Sequence, residues 1–131
     1  MQKSKTTREI GDIGENAVAA YLMKNGYEIL RRNFTVRGGE IDIIARKGDR
    51  IAFVEVKTRK AGSMTSGESA LTASKKQHLI KTAEIFYRDH VKKYGPAKCR
   101  FDVAVIELKY DKVVNARYYV SAFDVGDVRH R

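Results

Sequence analysis

A mixed β-sheet covered by helices is the fold class that this sequence predicts, and three observations predict it. Two segments carry helical periodicity with recognisable ends, and five read as strands. Their order is one helix, three strands, one long helix and two strands, so the long helix carries the chain across to the later strands. At 131 residues the chain is a little under the usual allowance of about 150 per domain. Residues 1–131 therefore read as a single unit, with short basic tails at 1–8 and 129–131. Hydrophobic residues make up 43% of the chain and there is one proline, which permits a real core and argues against disorder.

Each element has its own signal. Asp12-Ile-Gly-Glu15 has the spacing of a capping box and Gly26 offers a left-handed stop, so residues 13–25 read as a helix. Residues 27–34 alternate weakly as a strand, and Gly38-Gly39 then breaks the chain. Residues 40–46 and 51–58 follow as a hairpin about Gly48-Asp49. Residues 59–69, small, polar and basic, read as a mobile loop. Leu79, Ile80, Ala83, Phe86, Tyr87, Val91 and Tyr94 recur at helical spacing up to Gly95-Pro96, which places a long amphipathic helix over 70–94. Residues 100–108 and 113–123 read as strands joined by a polar turn at Lys109 to Lys112.

A net charge of +10 on so small a chain points to a polyanion, nucleic acid before an acidic membrane surface. The single Cys99 makes no internal disulfide, and no run approaches the roughly 18 apolar residues of a spanning helix, so the expectation is a cytoplasmic protein with no membrane segment. Cys99, His78, His90 and His130 have no zinc-ligand spacing.

The hairpin carries the chemistry. Centring its turn on Gly48-Asp49 sets Ile41 opposite Val56, Ile43 opposite Val54 and Ala45 opposite Ala52, an apolar face for the core. The other face then carries Glu40 opposite Lys57, Asp42 opposite Glu55 and Ile44 opposite Phe53. Like charges set across a strand pair repel, and a cation between Asp42 and Glu55 relieves them. Mg²⁺ takes one or two carboxylates with waters and phosphate oxygens, and Lys57 can place its ammonium beside a phosphate or an attacking water. Those are the parts of phosphodiester hydrolysis. The alternative is an ordinary half-exposed strand in which Glu40 and Lys57 form a cross-strand ion pair.

GGEIDIIARKGDRIAFVEVKTR, from Gly38 to Arg59, resembles the core motif of the YraN-like family, endonuclease-like proteins related to Holliday junction resolvases. Residues 14–34, 74–87, 99–107 and 121–123 resemble further family segments in the same order. The resemblance implies an α/β, restriction-endonuclease-like fold of the PD-(D/E)xK superfamily, a mixed central sheet flanked by helices. It matches Asp42, Glu55 and Lys57 to the D…ExK triad, with Ile41 standing where the pattern has proline. It also implies Glu15 as a further acid approaching the metal, although a capping role explains that residue equally. Glu40 reads as a support for Lys57. Lys75 reads as a contact to the scissile phosphate or as a lysine snorkelling from the core edge. Asp102 reads as structural, pairing with Arg100 or another strand neighbour.

The leading expectation is thus a Mg²⁺ or Mn²⁺ dependent endonuclease acting on DNA, with branched or structured DNA in view. The alternative is a nucleic-acid-binding module that kept the fold without turnover, and a protein-binding adaptor, which needs no such charge, comes third. Lys3, Lys5, Arg8, Arg31, Arg32, Arg37, Arg59, Lys60, Lys75 and Lys76 are expected to cluster around the acidic pocket. Arg37, Arg59, Lys60, Lys75 and Lys76 are its nucleic-acid contacts. A homodimer suits a symmetric junction, but the sequence marks no interface for one.

Overall fold

The computed structural model describes residues 5–62 and 72–123. Its first helix, α1 (Thr7–Lys24), begins at Thr7 and not at residue 13, because Thr6 caps it. The Thr6 hydroxyl accepts from Glu9 N–H at 3.1 Å, and Glu9 Oε1 accepts from Thr6 N–H at 3.1 Å. Asp12 and Glu15 share that spacing but lie inside the helix. The earlier cap wins because Ile10 and Ile13 also pack on the sheet, so the longer helix buries more apolar surface. The stop is where the sequence puts it: Gly26 takes φ +87° and Tyr27 N–H donates to the Leu22 carbonyl at 3.0 Å.

Strands β1 (Glu28–Val36), β2 (Gly39–Lys47) and β3 (Arg50–Lys60) follow, then helix α2 (Ala73–Tyr94), then β4 (Lys98–Lys109) and β5 (Lys112–Phe123). They form one sheet in chain order. Its pairings are antiparallel except between β3 and β4, which run parallel from Arg50–Lys98 to Lys60–Leu108. The expected mixed sheet between helices is therefore the architecture that forms. Arg59 and Lys60, assigned by composition to a loop, belong to β3, since Glu107 and Leu108 of β4 pair with them. The rest of that expected loop, from residue 63 onward, lies outside the described residues. No helix among the described residues is long and apolar enough to cross a membrane.

The hairpin register is the one deduced from the sequence, over the length of its ladder. Lys47 pairs with Arg50, Ala45 with Ala52, Ile44 with Phe53 and Ile43 with Val54. There the ladder ends, so the expected cross-strand pairs Ile41–Val56, Asp42–Glu55 and Glu40–Lys57 do not form as backbone pairs. Beyond Ile43, β2 pairs with β1 alone, as Phe34–Ile41 and Thr35–Glu40.

Both faces of the sheet are buried, as a sheet flanked by helices requires. Beneath α1 lie Val18, Ala19 and Leu22 against Ile43, Ala45, Ala52, Val54, Ala104 and Ile106. Beneath α2 lie Leu79, Ile80 and Ala83 against Ile44, Ile51, Phe53, Phe101, Val103 and Phe123. Ile41 joins this second layer instead of the first.

The layers meet closely at glycines. A Cβ on Gly14 of α1 would collide with Thr58 Oγ1, and turning Thr58 offers no escape, since its Cβ and Cγ2 would stand 3.0 Å and 3.2 Å away. Gly14→Ala should therefore lower the urea midpoint by the equivalent of about 1–3 kcal/mol. That loss is expected even though alanine is favoured over glycine by about 1 kcal/mol within a helix. Adding Thr58→Ala should recover much of it, and an unaffected single mutant would show that the helix can lift off the sheet freely.

Candidate active site

The carboxyl pair sits where the β2–β3 ladder stops. One residue past the last backbone pair, Asp42 Oδ2 accepts a hydrogen bond from Val56 N–H at 2.8 Å, so a side chain takes over from a strand partner. Glu55 lies alongside, mostly buried, and Lys75 Nζ approaches its Oε2 to 3.5 Å from α2. Burial, followed by the hydrogen bond and charge of Glu55, pushes Asp42 up to about 8; Val56 N–H and Lys75 pull it down less strongly. Asp42 is therefore the carboxyl of the two that favours its protonated form.

Two concavities meet at Asp42. One, of about 270 Å³, opens towards α2 and is lined by Gly38, Gly39, Glu40, Glu55, Lys75 and His78. The other, of about 320 Å³, opens towards α1 and is lined by Asp12, Glu15, Val56, Lys57 and Thr58. Asp42 borders both. The structure thus gathers Asp42, Glu55 and Lys75 in one pocket and puts Lys57 in the pocket next to it. The glycine wall has a packing cause, because a Cβ at Gly39 would collide with Thr82 Oγ1 on α2.

Other expected residues are engaged differently. Glu15 is buried, but its Oε1 accepts from Arg32 Nε at 2.8 Å and from Asn33 Nδ2 at 3.2 Å, so β1 holds it in place. Among the described residues no three His, Cys, Asp or Glu side chains form a metal-sized group, so Glu15 is not gathered with Asp42 and Glu55. Glu40 makes no ion pair with Lys57, for want of the cross-strand pairing that was to bring them together. The basic residues do not form one cluster. Arg32 serves Glu15, Arg31 lies over the Phe34 ring and Lys76 over the Phe123 ring. Arg37 is exposed in the turn beside Gly38, while Arg59 and Lys60 line a separate groove towards the β4–β5 turn. Lys3 lies outside the described residues.

His78 was considered in the sequence only as a zinc ligand, yet it lines the carboxyl pocket. Its position three residues after Lys75, on the same face of α2, was the available signal. Asp102 is structural, as expected: it is 1% exposed and receives Arg100 Nε at 2.9 Å, Tyr118 Oη at 2.5 Å and Ser121 N–H at 2.9 Å. Burial pushes the Cys99 thiol up to about 11, so it offers no thiolate at neutral pH. A larger apolar cavity of about 600 Å³ lies under α2 between Phe53, Tyr87, Cys99 and Phe101. It shares no residue with either carboxyl pocket, and size alone does not make it the reactive site.

Comparison with known proteins gives consistent matches. The family described as Uncharacterised protein family UPF0102 matches residues 14–106. A UPF0102 protein of Caldicellulosiruptor saccharolyticus is 42% identical over 101 residues, covering 77% of this chain and 82% of the relative. One from Symbiobacterium thermophilum is 38% identical over 119 residues, covering 89% and 98%. Among solved structures, a repair endonuclease from Pyrococcus abyssi matches with a TM-score of 0.35 and 16% identity, over 85% of this chain and 42% of that one. At that distance it bears on no individual residue.

The raised Asp42 has a consequence for stability. A carboxyl whose folded value lies above its ordinary 3.8 stabilises the fold below that value and loses the contribution as pH rises towards 8. Asp42→Asn keeps an acceptor for Val56 N–H and removes the repulsion. In metal-free buffer its urea midpoint should exceed that of wild type, and by more at pH 8 than at pH 5, the gain between them being a few tenths to about 1 kcal/mol. A mutant clearly less stable than wild type at pH 8 would contradict the paired carboxyls.

Proposed function

The chain belongs to Uncharacterised protein family UPF0102, the YraN-like family that its motifs resemble, and from that premise and its carboxyl pair we propose a metal-dependent endonuclease that hydrolyses phosphodiester bonds in DNA. The observation that carries the reading is the Asp42–Glu55 pair, largely buried where the β2–β3 ladder ends and bordered by Lys75 on one side and Lys57 on the other. Asp102 is matched directly by Arg100 and by hydrogen-bond donors, whereas Asp42 has one backbone donor and a second carboxyl beside it, with Lys75 placed on Glu55. Sites built for chemistry accept that kind of penalty.

The donor set suits Mg²⁺ or Mn²⁺, which need only one or two carboxylates beside water and phosphate oxygens; Asp42 and Glu55 would hold the ion. When bound, such an ion makes a coordinated water acidic enough to attack phosphorus and neutralises charge building on the phosphate. The protein's own groups do the rest. Lys75 can turn from Glu55 Oε2 to a phosphate oxygen by rotation of a partly exposed side chain. Lys57 enters from the α1 side, where it can orient the water or the phosphate. Val56 N–H keeps Asp42 Oδ2 fixed. Branched or structured DNA is the substrate class in view.

A second reading is favoured by one contact. Lys75 already brings an ammonium to Glu55, so the pair is partly neutralised without a metal, as suits a nucleic-acid-binding module that does not turn over. Cleavage assays on duplex, single-stranded, nicked and four-way DNA, with Mg²⁺ or Mn²⁺ and with chelator, separate the two. The expected result is metal-dependent cutting that falls by more than about 100-fold in Asp42→Asn and in Glu55→Gln, at least the cost of a lost supporting metal contact. Mg²⁺ should also raise the melting temperature of wild type, by the equivalent of about 2.7 kcal/mol at a hundredfold excess over Kd, and leave Asp42→Asn unmoved. Cutting that survives chelator would overturn the metal mechanism, and binding without cutting would favour the second reading.

A further inference from the structure

The β4–β5 turn breaks two habits at once. Lys109 pairs with Lys112, so the turn has two central residues, Tyr110 and Asp111, at φ +53° and +63°. Left-handed backbone at both positions is the geometry of a tight hairpin that glycine and asparagine normally fill. A tyrosine there is an outlier. Its ring does not compensate by packing, since Tyr110 is 89% exposed and contributes almost nothing to the core. Strained backbone that presents a bare aromatic ring is better explained by what the ring meets outside the fold.

The surroundings indicate what that is. Lys109 Nζ stands 5.9 Å from the Tyr110 ring centre, and Lys112 and Lys60 are exposed nearby, with Asp111 the one acid in the turn. A groove of about 730 Å³, lined by Ile10, Arg59, Lys60, Leu108, Lys109 and Tyr110, leads from the end of β3 to the turn. Along β3, Glu55 and Lys60 stand about 17 Å apart at roughly 3.3 Å per residue, so one strand joins the carboxyl pair to this groove. Lysines beside an exposed aromatic form the pattern that binds a nucleic-acid backbone while stacking a base. Inside a duplex the base faces are already stacked, so a ring on a protruding turn can reach only an unpaired base.

We propose that the β4–β5 turn is a nucleic-acid contact in which Tyr110 stacks on an unpaired base while Lys60, Lys109 and Lys112 hold the adjoining phosphates. This rests on the nucleic-acid reading above and narrows it: the protein selects DNA with unpaired nucleotides a short distance from the scissile bond.

The test measures affinity in metal-free buffer for two fluorescent duplexes, one blunt and one carrying a short single-stranded overhang with 2-aminopurine. Wild type is expected to prefer the overhang and to change the 2-aminopurine emission through stacking. Tyr110→Asn, which keeps the left-handed turn and removes the ring, should lose about tenfold in affinity for the overhang, within the range of a lost base stack. Its affinity for the blunt duplex should not change. Tyr110→Trp should retain the preference, and melting curves should show both variants at least as stable as wild type. If wild type binds both duplexes and Tyr110→Asn leaves the preference and the emission change intact, the turn proposal is overturned alone. If wild type binds neither, the nucleic-acid reading fails and the turn proposal falls with it.

Discussion

The register of the β2–β3 hairpin is the constraint on which the rest of the structure depends. Side chains along a strand alternate with a period of two, so a slip of one residue would move Ile43, Ala45, Ala52 and Val54 from beneath α1 to beneath α2. Both layers would then be mispacked. Because each face is covered by its own helix, the register is held from two sides. That double hold lets the strands separate beyond Ile43–Val54 without losing alignment. The separation is what gives Asp42 its place: Val56 N–H, left without a strand partner, takes the Asp42 carboxylate instead.

Two buried acids in the same sheet show how a fold distinguishes support from chemistry. Asp102 lies at an irregularity in the β4–β5 pairing and has its charge matched by Arg100, Tyr118 and the Ser121 backbone. Tyr27 in turn accepts from Arg100 at 2.8 Å, tying the start of β1 to the network. A buried carboxylate so fully partnered fastens two strands together. Asp42 has one backbone donor, a second carboxyl as neighbour and a lysine that reaches Glu55 more closely than it serves Asp42. Burial without matching charge is what raises the Asp42 carboxyl.

Glu15 marks the boundary between these cases. Its sequence position suits a helix cap or a metal ligand, and in the structure it lies inside α1 with Arg32 and Asn33 of β1 on its Oε1 from across the layer. Asn33 takes a left-handed backbone at φ +52° that turns its amide towards Glu15. No local pattern signals that contact, because it joins residues seventeen and eighteen positions apart on elements whose packing is set elsewhere.

Local and periodic information is what the sequence by itself determined. Glycines that must adopt left-handed backbone set the stops at Gly26 and Gly95, and alternation about Gly48-Asp49 set the hairpin register. The helical stripe ending at Tyr94 set the crossover, and from these followed the mixed sheet and the nearness of Asp42 to Glu55. Tertiary structure alone decided which of two equally spaced caps begins α1, how far the β2–β3 ladder runs and which basic side chains stand near the carboxyls. Composition placed Arg59 and Lys60 in a loop, and pairing with β4 made them strand. The physical reason is common to all of these. Turn chemistry and periodicity act through a residue's immediate neighbours in the chain, whereas burial, ladder length and charge pairing depend on surfaces that exist only once helices and strands have packed together.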